Sequence, residues 1–273
     1  MSRRLIVNAD DFGFTHDVNA GIVEARRRGV LRATTLMANG AAFDDAARLA
    51  RENPDLDVGC HLVLVGGRSL SRPEQRLPKS LSELICRLAM DWRRSAIEAE
   101  LAAQIERLLA AGIEPTHLDA HKHTHLAPPV LDVVLELARR YTIRWVRRPF
   151  DMPLTAAAAS APRKRRIVQR ALRPMDRSFE RKLVVAGLRA TDAFAGFQMT
   201  GLYGAAELAA LIRALPEGLT EFMCHPGRCT AELRAAPTRL TESREQELEA
   251  LISDEVRRAV EETGTKLCGF VDA

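Results

Sequence analysis

The sequence predicts an α/β protein: a distorted (β/α) barrel of the TIM type with about seven parallel strands, in one domain over residues 1–273. Two observations support this fold class. Short apolar segments of strand character alternate along the chain with segments whose apolar residues have helical spacing, as in βα units. Polar residues suited to catalysis follow several of these strands, where a βα barrel gathers its active site.

The predicted elements follow one another along the whole chain. Short apolar runs indicate strands, and apolar residues three and four positions apart indicate helices. The predicted strands are 5–8, 34–37, 58–65, 116–119, 143–146, 221–224 and 266–271. The predicted helices are 17–28, 41–51, 97–111, 130–140, 205–215 and 242–262.

Two segments depart from the repeating pattern. Residues 66–78 are rich in Gly, Pro, Ser and Arg, and residues 66–73 suit either a substrate contact or a solvated loop. Residues 151–190 contain an alanine run at 156–159 and a basic segment at 163–182, and we expect an insertion or flap there. The basic segment fits a solvated helix face or an amphipathic helix on an anionic membrane surface.

Composition narrows the class of protein. The net charge is +4 and aromatic residues make up only 5% of the chain, so we expect no nucleic-acid partner. The five cysteines show no CxxC pairing, which disfavours a disulfide framework and a zinc ribbon. No apolar run has the length of a signal peptide or membrane span, so we expect a cytoplasmic protein, with peripheral membrane contact and homo-oligomerisation left open.

The densest polar motif places four of the seven histidines, His117, His121, His123 and His125, at alternate positions with Asp119. In an extended strand these side chains would share one face. The flanking prolines disfavour a continuous helix, so the cluster is predicted at a strand end and in the following loop. Imidazoles crowded beside a carboxylate indicate part of a metal site, with a solvated polar strand end as the alternative.

Three further polar positions end predicted strands. Asp10 and Asp11 are adjacent and should point to opposite sides of their strand, so that one can bind a metal and the other act as a base. A helix cap or a turn is the simpler explanation of such a pair. His61 lies in an apolar strand and His225 precedes a Pro-Gly turn. Two imidazoles and one carboxylate would leave coordination positions open for water and substrate.

These motifs together resemble the YdjC-like carbohydrate deacetylases, and the resemblance covers essentially the whole chain. The matching stretches are 6–13 (IVNADDFG), Thr34-Thr35, 59–64 (GCHLVL), 115–126 (PTHLDAHKHTHL) and 223–227 (MCHPG). The resemblance implies a distorted barrel that removes acetyl groups from N-acetylated amino sugars. It also implies one divalent ion. Two nitrogens and one oxygen suit zinc well, with magnesium as an alternative.

The resemblance also assigns roles to residues. It implies that Asp11, His61 and His121 bind the ion, that Asp10 is the general base, and that His225 acts as an acid or stabilises the oxyanion. It also implies that His123 and His125 line the site. Asp119 would orient a histidine without itself binding the ion. Chain length and the 151–190 segment resemble the hopanoid-biosynthesis-associated branch, which implies a glucosaminyl lipid substrate; soluble chito-oligosaccharides are the alternative.

Two other classes of function compete with this interpretation. Two histidines and a carboxylate also form the metal site of non-haem iron oxygenases, but those enzymes usually occupy β-barrels of another type. A non-catalytic sugar-binding protein could have retained an old site. Every expected catalytic position is filled, which argues against that alternative.

Overall fold

One sheet of eight parallel strands organises the computed structural model, which describes residues 2–90, 92–154 and 162–273. The strands are β1 (Arg3–Phe12), β2 (Ala33–Leu36), β3 (Asp57–Leu62), β4 (His117–Ala120), β5 (Trp145–Val146), β6 (Ala193–Ala195), β7 (Gly218–Cys224) and β8 (Lys266–Leu267). The sheet order is β5-β4-β3-β2-β1-β7-β6, and β8 pairs with the beginning of β1.

The two edges of this sheet meet and close a distorted barrel. Parallel bridges join Trp145 to Arg189 and Asp151 to Phe194. The Met152 N–H donates to the Phe194 carbonyl at 2.7 Å. Because these are single bridges, each with one partner outside β5 or β6, rather than a continuous ladder, the barrel is irregular on this side. The predicted parallel βα architecture is confirmed.

Helices follow most strands and cover the outside of the barrel. The helix α4 shows the principle, since Ile97, Leu101, Ile105 and Leu108 are buried at three- and four-residue spacing. The helices are α1 (His16–Arg28), α2 (Phe43–Glu52), α3 (Leu81–Met90), α4 (Arg94–Ala110), α5 (Pro128–Arg140), α6 (Arg163–Val185), α7 (Ala205–Arg213), α8 (Ala231–Ala235), α9 (Glu242–Ile252) and α10 (Asp254–Thr263).

The barrel interior changes from apolar to polar along the strands. A separate apolar cluster is formed by Ile6, Ala33, Trp145, Leu219 and Phe270. Because side chains alternate along a strand, the positions two residues beyond Ile6, Trp145 and Leu219 share their face. These positions are occupied by Asn8, Arg147 and Glu221, which are buried and bonded to one another.

Several predicted boundaries were wrong. The expected helix 242–262 is two helices, because Ser253 interrupts it and its hydroxyl accepts the Val256 N–H at 3.2 Å. The expected strand 266–271 ends at Leu267, since the Asp57 carboxylate binds the N–H groups of Phe270 and Val271. The elements β6, α3 and α8 were not predicted, and β6 and α8 are short, with three and five residues.

The basic segment is helical, and α6 covers most of it. Phe179 and Leu183 anchor this helix in the core, whereas Ile167 is 68% and Val185 88% exposed. The alanine run at 156–159 lies outside the described residues. No helix in the described ranges combines the length and apolar character needed to cross a membrane.

Candidate metal centre

The carboxyl ends of the strands bring together most of the residues expected to form a site. Asp10 and Asp11 end β1, His61 lies on β3, and Asp119 lies on β4. The register between β1 and β2 shifts between Ala9 and Phe12, and Asp11 has a φ of 69°. This bulge redirects the chain, so the expectation that the two carboxylates point to opposite sides was wrong: both approach His61.

Asp11, His61 and His121 form a compact group of ligand atoms. The Asp11 Oδ1 atom lies 3.2 Å from His121 Nδ1 and 3.4 Å from His61 Nε2. The two imidazole nitrogens are 3.4 Å apart. One ligand atom from each residue falls within 4.8 Å of the others, and two nitrogens with one carboxylate oxygen suit a divalent ion. The donor set therefore fits the expected metal.

Asp119 orients His61 within this group. The Asp119 Oδ1 atom lies 2.7 Å from His61 Nδ1, which turns Nε2 toward Asp11. Burial disfavours the imidazolium, but the charge of the Asp119 carboxylate and the hydrogen bonds that the ring donates to Asp11 and Asp119 raise the pKa of His61 to about 10. The surroundings therefore favour a positive charge at this position.

Arg244 contacts the carboxylate of Asp11 and was missed by the sequence analysis. Its Nη2 donates to Asp11 Oδ2 at 2.5 Å, and its side chain is 1% exposed. Burial disfavours the Asp11 carboxylate, but Arg244, with hydrogen bonds from His121 and His61, holds its pKa well below the usual range. Asp11 is therefore ionised.

Arg147 joins three buried carboxylates and was also missed. Its guanidinium binds both oxygens of Asp10, at 2.8 and 2.7 Å, and Asp119 and Glu221, each at 2.7 Å. Burial raises the pKa of Asp10, although Arg147 opposes the shift. Each carboxylate oxygen has a second lone pair, so Asp10 can still accept a proton.

His225 also approaches the carboxylate of Asp10. Its Nε2 atom lies 3.9 Å from Asp10 Oδ2. The Glu247 carboxylate accepts the backbone N–H of His225 at 2.6 Å and fixes this turn. Burial lowers the pKa of His225 to about 4, so the ring is neutral at neutral pH.

The remaining histidines of the cluster separate, because the chain turns after β4. Lys122 and His123 have positive φ values and belong to a 3₁₀ segment (His121–Leu126). His117 is buried inside the barrel, stacked on Phe270. The cluster therefore lies at a strand end and in the following turn, as predicted. Because the chain is not extended beyond β4, the four histidines do not share one face.

His123 and His125 occupy different surroundings within that segment. The His123 ring lies beside Phe194 and Phe197, with ring centroids 6.2 and 5.6 Å away. His125 is fully buried, and its Nε2 lies 3.0 Å from the Arg147 carbonyl oxygen. His125 therefore supports the strand end that carries Arg147 and has no surface for a substrate.

Glu100 holds the glycine- and arginine-containing loop that follows β3. This buried carboxylate on α4 accepts the N–H groups of Leu70 and Ser71, at 3.1 and 3.0 Å, and the hydroxyl of Ser71 at 2.9 Å. Arg68 and Arg72 remain exposed in the loop. Both interpretations of residues 66–73, a substrate contact and a solvated loop, therefore stay open.

The sequence carried only weak signals for the missed arginines. Arg147 lies two positions after Trp145, so its side chain points to the same face as that buried residue. It could have been recognised from this spacing as facing the barrel interior. Arg244 lies in the charged sequence ESREQELEA, where it resembles an ordinary solvated helix position. Its contact with Asp11 spans 233 positions, and no local pattern reveals such a contact.

The fold and the site together define a βα barrel with a candidate divalent-metal centre at the carboxyl ends of its strands. The model of the YdjC-like protein family matches residues 4–262, and the chain belongs to this family. A chitooligosaccharide deacetylase of Salmonella typhimurium is 34% identical over 100% of both chains. A carbohydrate deacetylase of Geobacillus stearothermophilus is 46% identical over 56% of this chain and 64% of the relative, less than two thirds of its length.

A solved structure agrees with the fold. The crystal structure of a proposed cellobiose-phosphate cleavage protein from Enterococcus faecalis V583 superposes with a TM-score of 0.75. It is 26% identical and covers 100% of this chain and 99% of that protein. Full-length relatives in this comparison are named carbohydrate deacetylase and chitooligosaccharide deacetylase, which agrees with the expected enzyme class.

Proposed function

We propose that this protein is a divalent-metal-dependent hydrolase that removes the acetyl group from N-acetylated amino sugars. One observation carries the proposal: Asp11, His61 and His121 bring a metal-binding donor set beside Asp10 and its neighbour His225. A divalent ion held there, with zinc as our first choice, supplies Lewis-acid activation of a water molecule and of the acetamide carbonyl. Family membership and the relatives' names support the same reaction.

The chain's own residues divide the remaining work. Asp10 takes the proton from the attacking water, and Arg147 holds its carboxylate in place through two hydrogen bonds. His225 is neutral at rest, so its ring N–H can hydrogen-bond the developing oxyanion. To act as an acid toward the departing amine, it first takes up the proton that Asp10 removed from the water. Asp119 keeps His61 in the orientation that the metal centre requires.

A glycolipid substrate is the second candidate. Ile167 is 68% and Val168 38% exposed at the start of α6, beside Arg163, Lys164 and Arg166. Basic and apolar side chains on one helix suit contact with an anionic membrane surface. Chain length does not favour the lipid branch, because the Salmonella chitooligosaccharide deacetylase aligns over 100% of both chains.

Acetate release from N-acetylated chito-oligosaccharides and from an N-acetylglucosaminyl lipid in vesicles tests the proposal. We expect release that stops after chelation and returns when zinc is added, with Asp10→Asn as the inactive control. Preference for the lipid would support the second candidate. Release from neither substrate by metal-loaded protein would contradict the proposed reaction.

A further inference from the structure

We propose that Arg244 is a positioning residue that makes Asp11 bind the divalent ion through a single oxygen. This inference rests on the proposed function of Asp11, His61 and His121 as ligands. A carboxylate that uses one oxygen leaves more of the coordination sphere open to water and substrate than one that uses two.

The two oxygens of Asp11 face different partners. Arg244 Nη2 donates to Oδ2 at 2.5 Å, whereas Oδ1 lies 3.2 Å from His121 Nδ1 and 3.4 Å from His61 Nε2. The oxygen beside the imidazoles therefore belongs to the metal centre, and the guanidinium occupies the other oxygen. Rotation of the carboxylate toward a two-oxygen arrangement would break the contact with Arg244.

Arg244 is itself held in place. Its Nε donates to the Leu240 carbonyl at 3.2 Å, and its own carbonyl accepts the Gly227 N–H at 3.1 Å. A Cβ atom at Gly227 would lie 3.2 Å from the Arg244 Cδ, so the glycine leaves room for this side chain. Since Glu247 of the same helix binds the His225 N–H, α9 connects the end of β1 with the His225 turn.

A contribution to fold stability does not by itself explain why an arginine is present at position 244. Its Nη1 is buried and has no hydrogen-bond partner among the described residues, which is an unfavourable arrangement. A cation beside a metal ligand also opposes a bound cation. An orienting role for the carboxylate accounts for the presence of the guanidinium despite both costs.

Arg244→Met and Arg244→Lys test the inference, with the exposed Arg257→Met as a matched control, because Arg257 pairs with Asp254 away from the site. Metal-free proteins are titrated with Zn²⁺ against a chromophoric chelator, and the visible spectrum of the Co²⁺-loaded proteins reports the coordination number. We expect Arg244→Met to change the cobalt spectrum and to weaken Zn²⁺ binding about 10- to 100-fold, because losing the orientation of the Asp11 carboxylate outweighs removing a nearby positive charge. Arg257→Met should change neither.

Unchanged affinity and an unchanged cobalt spectrum in folded Arg244→Met would overturn the inference, as would weaker binding without a spectral change. If that variant does not fold, Arg244→Lys decides: it keeps the charge but loses the planar donor, so about threefold weaker binding or more, with a spectral change, is expected. Wild-type protein that binds neither ion would instead refute the proposed function. Wild-type binding with insensitive Arg244 variants refutes only the role of Arg244.

Discussion

Replacing Arg147 with methionine should destabilise the protein strongly and in a pH-dependent manner. The guanidinium is fully buried and makes four short contacts with three carboxylates, those of Asp10, Asp119 and Glu221. Methionine fills similar space but leaves these carboxylates without their shared cation. Removing one partner of a buried ion pair costs about 3–5 kcal/mol, and we expect a loss of this size at pH 8.

The direction of the pH dependence follows from the carboxylates. Burial already raises the pKa values of Asp10 and Glu221, with Arg147 opposing the shift, and removing Arg147 raises them further. A group with a raised pKa in the folded state stabilises the fold at pH values below its unfolded pKa, and this contribution is lost as the pH rises through the folded value. The deficit of Arg147→Met should therefore shrink as the pH falls from 8 toward 5.

Urea denaturation of the metal-free proteins at several pH values measures this effect. The matched control is Arg213→Met, since Arg213 forms an exposed pair with Glu262 and should cost less than about 1 kcal/mol. A deficit below 1 kcal/mol for Arg147→Met at pH 8, or one that does not vary with pH, would refute the reasoning.

Three further predictions concern the site itself. Asp10→Asn should reduce acetate release about 100-fold or more while the zinc content, measured by atomic emission, stays unchanged; wild-type turnover would remove Asp10 from the role of base. Asp11→Asn and His61→Ala should lose the bound zinc on gel filtration, and full retention of the metal would contradict their assignment as ligands. Because burial lowers the pKa of His225 to about 4, its ring NMR signals should not titrate between about pH 8 and 5.5; a midpoint near the ordinary value of about 6.5 would show that the ring is not buried as described.

The sequence was informative wherever a candidate site residue lies at the end of a strand. Asp10, Asp11, His61 and His225 each follow or lie in an apolar run, and parallel strands deliver such residues to one edge of the barrel. The fold class could be predicted for the same reason, since alternating strand and helix patterns leave few other architectures. Boundaries failed where tertiary contacts intervened, as at the end of β8, where a distant carboxylate takes the backbone N–H groups.

The contacts that the buried arginines make with the carboxylates of the site could not be predicted in the same way. Alternation from Trp145 places Arg147 rather than its neighbour Arg148 on the inward face, but it reveals neither the buried carboxylates that Arg147 contacts nor the Asp176 that pairs with Arg148. The bulge that redirects Asp11 likewise has no local signature in the chain. Such features depend on the register of strands that are distant in sequence, which composition and periodicity do not specify.

Titration of metal-free protein with zinc, with acetate release from an N-acetylated chito-oligosaccharide measured at each point, tests the central claim most directly. We expect activity that rises linearly to about one equivalent of zinc and then stays constant, whereas His61→Ala remains inactive throughout. Acetate release at full rate from protein shown to be metal-free, or zinc binding by His61→Ala with wild-type activity, would contradict the proposed metal centre.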